Sequence, residues 1–533
     1  MRSSMGRQTS DNTQMLLADP AADVLALRAR DNLAANAAAL GRSIAMPQLA
    51  WRLARDGTLT AYTANEREGG WLSGCSVPRR AAEVMLRKTV VEGNVACLVL
   101  PNHAGQIVAC LGKLSPSQAL IALLGGEGEL PPMLACHDFS ADIAAGRLMF
   151  AWDNASLHTL FDQSSGLPVP QQFVRIATSS AELAEPAMKT AQGVFNAVIA
   201  LHHDRIRAAA RQSQPSDAEL CVVVSRRFRL WDDAGDVLAN LAGGDIVDCD
   251  RPNHSAVAFV AERIAAGRAV VTANMGRADR GELAGIDRPW ICWVTGPRVP
   301  SFVRSHPRDG LLLADEAFAP LATAAGWPAS RMRIAGYPVE TLPPAGKVPT
   351  LIADLPSLTP PDVVCDFSSW RIAWEHIDAE LQADPLRIGN DASAYLDRVL
   401  QHYDIDEPKL PRALFFNGVI AGAFAVGVAK LLKSRGTTPA VYGNGWRAFV
   451  DTIDWRGTIP DRAALHKAAV AASYIVDPFL QPLTALRAID RPIVRPFGLT
   501  LPALVGQLRS PQRAARSDGA ILSRKLILEL LGG

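Results

Sequence analysis

Between Arg412 and Gly498, apolar runs of strand length alternate with helical segments, and glycine-rich turns close the runs. The stretch opens with RALFFNGVIAGAFAVGVAKLLKSRG: a short apolar run, a turn at Asn417-Gly418, then a small-residue helical segment. PAVYGNGW follows, a second run that stops at Gly443, Asn444, Gly445 and Trp446. After it come IDWRGTIPDRAALHKAAVAASYIVDPF and LTALRAIDRPIVRPFG. Such alternation predicts βαβ units in a parallel sheet. Sheets of this kind take ligands in the crevice beyond their strand C-termini, so the glycine-rich turns mark the expected binding edge.

The same alternation occurs twice upstream. From Asn94, VACLVLPNHAGQIVACLGKL reads as strand, turn and helix, and ALIALLGGEGEL as a second strand ending at Gly125, Gly126 and Glu127. HDFSADIAAGRLMFAWD adds a short helix and a third strand. From Glu219, helix and strand alternate again through AELCVVVSRRFRLW, HSAVAFVAERIAAGRAVVTANMG, RPWICWVTGPRVP and DGLLLADEAFAPLATAAGWP. The expected fold class is therefore α/β and multi-domain. The expected order is a helical and hairpin segment over 1–90, a Rossmann-like domain over 91–215 and a second α/β domain over 216–380. A connection over 381–411 then leads to a C-terminal α/β domain over 412–533 that ends in a tail helix. A length of 533 residues exceeds what one core serves.

Charge narrows the partners. With 54 basic and 53 acidic residues the net charge is +1, so no global attraction to nucleic acid is expected. Eight cysteines form no CxxC pair, and Cys97, Cys221, Cys292 and Cys365 sit within or beside apolar runs. That pattern suggests neither a disulfide framework nor a zinc site. The opening MRSSMGRQTSDNTQ lacks the apolar core of a signal peptide, and Gly418–Leu432 is short for a membrane span, reading better as a buried helix beside a sheet. The expected location is cytoplasmic, with peripheral membrane contact left open.

Isolated polar residues carry less. His202, His203 and Asp204 are adjacent on a helix, point about 100° apart, and so do not form a metal site. The turn Pro101-Asn102-His103-Ala104-Gly105 has a single glycine, a poor match to a dinucleotide or S-adenosylmethionine loop. Glu127 reads either as a ribose-hydroxyl partner or as a solvated loop carboxylate. Arg226, Arg227, Arg298 and Arg304 stand at or after strand ends, where they either hold an anion or face solvent. Trp370, Trp374 and Ile377 form a packing stripe at helical spacing.

Two likenesses add to this. The portion from Asn94 onward, over about 120 residues and with Asp138-Phe139-Ser140 and Gly146-Arg147-Leu148-Met149-Phe150 carrying the likeness, resembles the N-terminal part of flagellin-modification accessory proteins of the motility-accessory-factor type. The C-terminal half resembles bacterial glycosyltransferases of the spore-maturation-protein (CgeB-like) and family 1 and 4 kind. That likeness rests on Tyr442-Gly443-Asn444-Gly445-Trp446, on Trp455-Arg456-Gly457-Thr458-Ile459-Pro460, and on LTALRAIDRPIV from Leu483 to Val494. It implies two Rossmann-like domains in a GT-B arrangement, preceded by an additional α/β domain. A final helix that crosses back onto the first of the two domains is a frequent feature of such enzymes.

The resemblance implies a nucleotide-sugar donor and a glycan or protein acceptor, with no separate cofactor and no metal. Donor-binding positions carried over are Asn417, Gly418, Asn444, Trp446, Arg447, Thr484, Ala485 and Arg487. Retaining members have an E-x7-E pair; here the aligned residues are Phe479 and Arg487, which argues against that mechanism. An inverting route needs a general base, for which Asp315, Glu316, Asp366, His306 and His376 are candidates. The alternatives are a catalytically inactive GT-B-like scaffold or ligand-binding protein in glycan assembly, and a methyltransferase-like activity over 94–152.

Overall fold

A computed structural model describes residues 22–63, 70–72, 75–176, 181–215, 219–296, 298–405, 410–480, 483–511 and 520–532. The polar N-terminus, residues 216–218 at the expected boundary between the first two α/β domains, and the basic stretch 512–519 lie outside the described residues. The chain forms two compact units that do not follow chain order: 1–218 with 247–267 and 285–287, and the remainder.

In the first unit, the expected hairpin forms around Asp56-Gly57. Ala50–Leu53 pairs antiparallel with Leu59–Thr63, and the Asp56 carboxylate accepts from the Thr58 amide at 3.1 Å. A four-stranded sheet follows, in the order Leu148–Ala151, Ala119–Leu123, Val95–Val99, Gln172–Arg175, with every pairing parallel. Val95–Val99 and Ala119–Leu123 are buried along their whole length. Burial on both faces is why these strands read as continuous apolar runs rather than alternating ones. The 31-residue helix Ala181–Arg211 packs on helix Val257–Ala266, where Arg205 forks onto Glu262 with two bonds of 2.6 Å. That helix belongs to the expected 216–380 domain by sequence but to the first unit by packing.

The second unit holds two sheets. The larger has seven strands in the order Ala520–Ile521, Met332–Gly336, Gly310–Leu313, Trp290–Val294, Ala269–Ala273, Leu220–Val224, Asp245–Asp248. From Leu220–Val224 to Ala520–Ile521 the pairings are parallel. The chain's end thus belongs to this sheet and not to the C-terminal one: Ala520–Ile521 extends its edge, and helix Arg524–Gly532 buries Ile527 and Leu530 in its core. Where strands Trp290–Val294 and Gly310–Leu313 begin, buried Arg277 forks onto Asp309 at 2.8 and 3.0 Å, and Asp309 also accepts from the Trp290 amide.

The smaller sheet is parallel, in the order Trp455–Gly457, Ala440–Tyr442, Val348–Ile352, Ala472–Val476, Ile493–Val494. Its first strand in sequence is Val348–Ile352, about 60 residues before the expected start at Arg412. The run 412–416 is not a strand. Arg412–Phe415, a π-helical turn over Phe416–Ile420, and Ala421–Ser434 make one continuous helix. Pro411 suits a helix start, the segment is rich in good helix formers, and the single π turn absorbs Asn417-Gly418 where a reverse turn was expected. Among the described residues this is the one helix long and apolar enough to cross a membrane, and 67% of its apolar 18-residue stretch is buried inside the protein. The expected connection 381–411 includes Pro385–Ile388 and Ala392–His402, which bury Ile388, Tyr395, Leu396, Val399 and Leu400 in the same core. Pro385 sits in a first helical turn, where a missing amide costs nothing, rather than in a linker.

Helix Ser368–Ala383 buries Trp370, Ala373, Trp374, Ile377 and Leu381, so the aromatic stripe is packing. At roughly 1.5–3 kcal/mol for each large apolar side chain, such stripes supply much of what offsets chain entropy.

Candidate functional site

Within the second unit, segments that leave the C-terminal ends of strands in the two sheets meet, and these segments carry the polar groups. The 225–233 loop runs from strand Leu220–Val224 to helix Ala234–Ala242. It places Leu230 in an apolar cluster with Ile459, Leu465, Leu483 and Leu486 of the smaller sheet's half. The Leu230 carbonyl accepts from the Ala485 amide at 3.2 Å, and the Asp233 amide donates to Thr484 Oγ1 at 3.1 Å. Asp233 itself is 0% exposed, and its Oδ2 accepts from Arg462 Nη2 at 2.5 Å. Its Oδ1 is buried with no hydrogen-bond partner.

Electrostatics follow from this geometry. Burial pushes the Asp233 carboxyl up to about 6, with Arg462 and Thr484 opposing the rise. Asp477, immediately after strand Ala472–Val476, is likewise pushed up to about 6 by burial, against the pull of Arg495. Its oxygens accept from the Phe479 and Leu483 amides at 3.1 Å each, and Arg495 Nε lies 3.5 Å away. The Tyr337 phenol follows strand Met332–Gly336; burial first, then Asp233, raise it above its ordinary value. Arg487 lies with its guanidinium 5.6 Å over the Phe318 ring, a cation–π contact between the two halves.

The donor-binding positions expected from sequence divide into three groups. Thr484, Ala485 and Arg487 are at the junction, but Thr484 and Ala485 spend their polar groups on the 225–233 loop. Helix Thr484–Arg487 is a single turn, too short to offer an anion site of its own. Asn444 and Trp446 hold the fold: Asn444 donates its amide and Nδ2 to Asp354 at 2.7 and 3.0 Å, while Trp446 is fully buried and donates Nε1–H to the Ala353 carbonyl at 2.6 Å. Gly443 serves the same crossing, because a Cβ there would lie 1.8 Å from the Ala353 oxygen. Asn417 is exposed on a helix, and Gly418 makes room for the Trp374 ring, which a Cβ would approach to 2.6 Å. Arg447 is exposed.

The five candidate bases also separate. Asp315 and Glu316 follow strand Gly310–Leu313 and stand at the junction edge, three and two residues before Phe318 and its contact with Arg487. His306 precedes that strand and so lies at the opposite edge, beside Ser305 at 3.0 Å. His376 is half-buried on helix Ser368–Ala383, 3.8 Å from Glu380 and with its ring against His402 and Tyr403, away from the junction. Asp366 ends the short helix Asp362–Cys365 and is exposed. Asp233 escaped the sequence reading; its one visible sign was an acidic residue where a long loop turns into a helix.

In the first unit, the single-glycine turn is occupied by protein. His103 Nδ1 accepts from the Gly105 amide at 2.9 Å, and a Cβ on Gly105 would lie 2.8 Å from the Arg79 backbone nitrogen. The glycine therefore admits helix Pro78–Met85 rather than a cofactor phosphate. Glu127 pairs with Arg42 at 3.5 Å, and Arg42 covers Trp152. A depression between Pro116, Ile143, Arg147, Asp250 and Asn253 lies at the sheet edge away from the turn, since Pro116 precedes strand Ala119–Leu123 and Arg147 precedes Leu148–Ala151. Of the expected phosphate-edge arginines, Arg226 pairs with Asp236 at 3.3 Å, and Arg298, largely exposed, with Asp279 at 3.0 Å. Among the described residues no cluster of three or more His, Cys, Asp and Glu could hold a metal.

Comparison with family models, curated proteins and solved structures finds no match. The fold defines a multi-domain α/β protein with several parallel sheets.

Proposed function

We propose that this protein is a glycosyltransferase that moves a sugar from a nucleotide-sugar donor to a glycan or protein acceptor, using the junction between the two sheets of the second unit. The carrying observation is that, within one compact unit, segments leaving the C-terminal ends of strands in both parallel sheets touch, through Asp233 with Thr484 and Arg462 and through Arg487 over Phe318. Ligands of open α/β sheets collect at those strand ends. A GT-B arrangement would bring two such sheets together at their strand ends, and the return of Ala520–Ile521 and the last helix to the larger sheet supports that reading. Here the likeness is one of architecture, so the chemistry rests on the junction residues. Arg462, Arg487 and Arg495 supply positive charge for a diphosphate, and Asp315 and Glu316 are the candidates placed to take an acceptor proton.

A non-catalytic reading has one observation in its favour: the Ala485 amide and Thr484 hydroxyl are already bonded within the chain. Incubating the purified protein with a panel of UDP-, GDP- and CMP-sugars, and measuring nucleotide release with and without a glycan acceptor, separates the two. Release with one donor is expected. Neither binding nor release across the panel ends the transferase reading, and binding without release selects the scaffold.

A further inference from the structure

The 225–233 loop enters the smaller sheet's half by two anchors, buried Leu230 and buried Asp233, and leaves Trp231 between them 59% exposed. Its ends are drawn together, since Gly235 packs against the Ser225 carbonyl so closely that a Cβ would lie 2.0 Å from its oxygen. A loop with adjoining ends can leave its seat as one body while the sheet behind it stays put.

What the loop sits on is chemically specific. Arg462 begins helix Arg462–Ala471 and spans from the buried Asp233 to solvent, its side chain 29% exposed. Thr484 Oγ1 is the second polar group beneath the loop. A carboxylate of the protein itself occupies this seat, and occupies it badly, because one of its two oxygens is buried without a partner. A half-satisfied buried carboxylate carries a desolvation cost that one ion pair only partly offsets. Phosphate, with more oxygens and more charge, makes the stronger charge-assisted bonds to a guanidinium.

We propose that Arg462 and Thr484 form a seat for a phosphate group of the ligand, that Asp233 fills this seat in the free protein, and that a phosphate-bearing ligand binds by displacing the 225–233 loop. The inference rests on the reading that the junction is the ligand site. Displacement makes the measured affinity the intrinsic one multiplied by the fraction of open loop. Removing the Asp233 charge raises that fraction.

The test is calorimetric titration of the full chain with inorganic pyrophosphate and with UDP. Asp233→Asn is expected to bind pyrophosphate at least about tenfold more tightly than the wild-type chain, by the same linkage, and Arg462→Gln to lose binding. Unchanged or weaker affinity in Asp233→Asn overturns the inference; if the wild-type chain still binds UDP, the junction reading stands. Tighter pyrophosphate binding with no nucleotide-sugar turnover keeps the inference and removes the transferase. No binding of either probe by either chain removes both. Hydrogen exchange of the wild-type 225–235 amides provides a check that needs no variant: pyrophosphate is expected to speed it, and unaltered exchange at saturating pyrophosphate counts against displacement.

Discussion

Asp233 and Arg462 are 229 residues apart in the chain and 2.5 Å apart in the fold. Their ion pair joins the halves of the second unit at the point where segments leaving the C-terminal ends of strands in its two sheets meet. Since Asp233 is fully buried, removing the arginine leaves a carboxylate with neither water nor a counter-charge. Arg462→Ala is therefore expected to destabilise the unit by about 3–5 kcal/mol. Adding Asp233→Asn to that variant is expected to restore much of the loss. Denaturant unfolding of both variants measures it, and equal stabilities for the single and double variants would contradict the pairing.

Stability is also expected to depend on pH through Asp233 and Asp477. Each carboxyl is raised by burial from 3.8 to about 6 in the folded chain. The folded state thus binds more protons than the unfolded state between those values, and stability falls as pH rises through them. The contribution is complete below about pH 4 and lost above about pH 6, amounting to at most about 3 kcal/mol per carboxyl. Denaturation midpoints taken across this window should decline toward neutrality. The Asp233→Asn, Asp477→Asn double variant should show a flatter profile.

Trp446 gives a contrast between packing and binding. Its indole is buried and bonded to the Ala353 carbonyl, so it is not available to stack on a nucleotide base. Trp446→Phe leaves that carbonyl unpaired, with an expected cost of about 1–3 kcal/mol. Affinity for UDP, followed by calorimetry in the folded variant, should stay at the wild-type value.

For turnover, position relative to the sheet edge is decisive. Asp315→Asn and Glu316→Gln are the variants expected to act, and the one that removes the base should slow nucleotide release by about 100-fold or more. His306→Ala and His376→Ala should release nucleotide at the wild-type rate, since neither imidazole is at the junction. A large loss in either histidine variant, with folding intact, would move the chemistry elsewhere.

The π turn at Asn417-Gly418 shows why some elements were misread from sequence. An apolar run followed by Asn-Gly fits a strand and turn as well as it fits a helix, and only the neighbours decide. Here Trp374, 44 positions away, packs on Gly418 and fixes the helix. Glycines 443 and 445 were legible as special, yet their role is to pass Ala353 and Leu355 closely rather than to approach a ligand.

Sequence by itself determined the class of structure: apolar runs with no alternation specify strands buried on both faces, and intervening helical spacing specifies parallel sheets. It also marked the strand ends as the edge to inspect. Tertiary structure decided which segments share a sheet, taking Val348–Ile352 and Ala472–Val476 together and returning Ala520–Ile521 to the other sheet. It also brought Asp233 onto Arg462 and Thr484. Local patterning fixes period and burial, but the pairing of residues hundreds of positions apart depends on how whole layers pack.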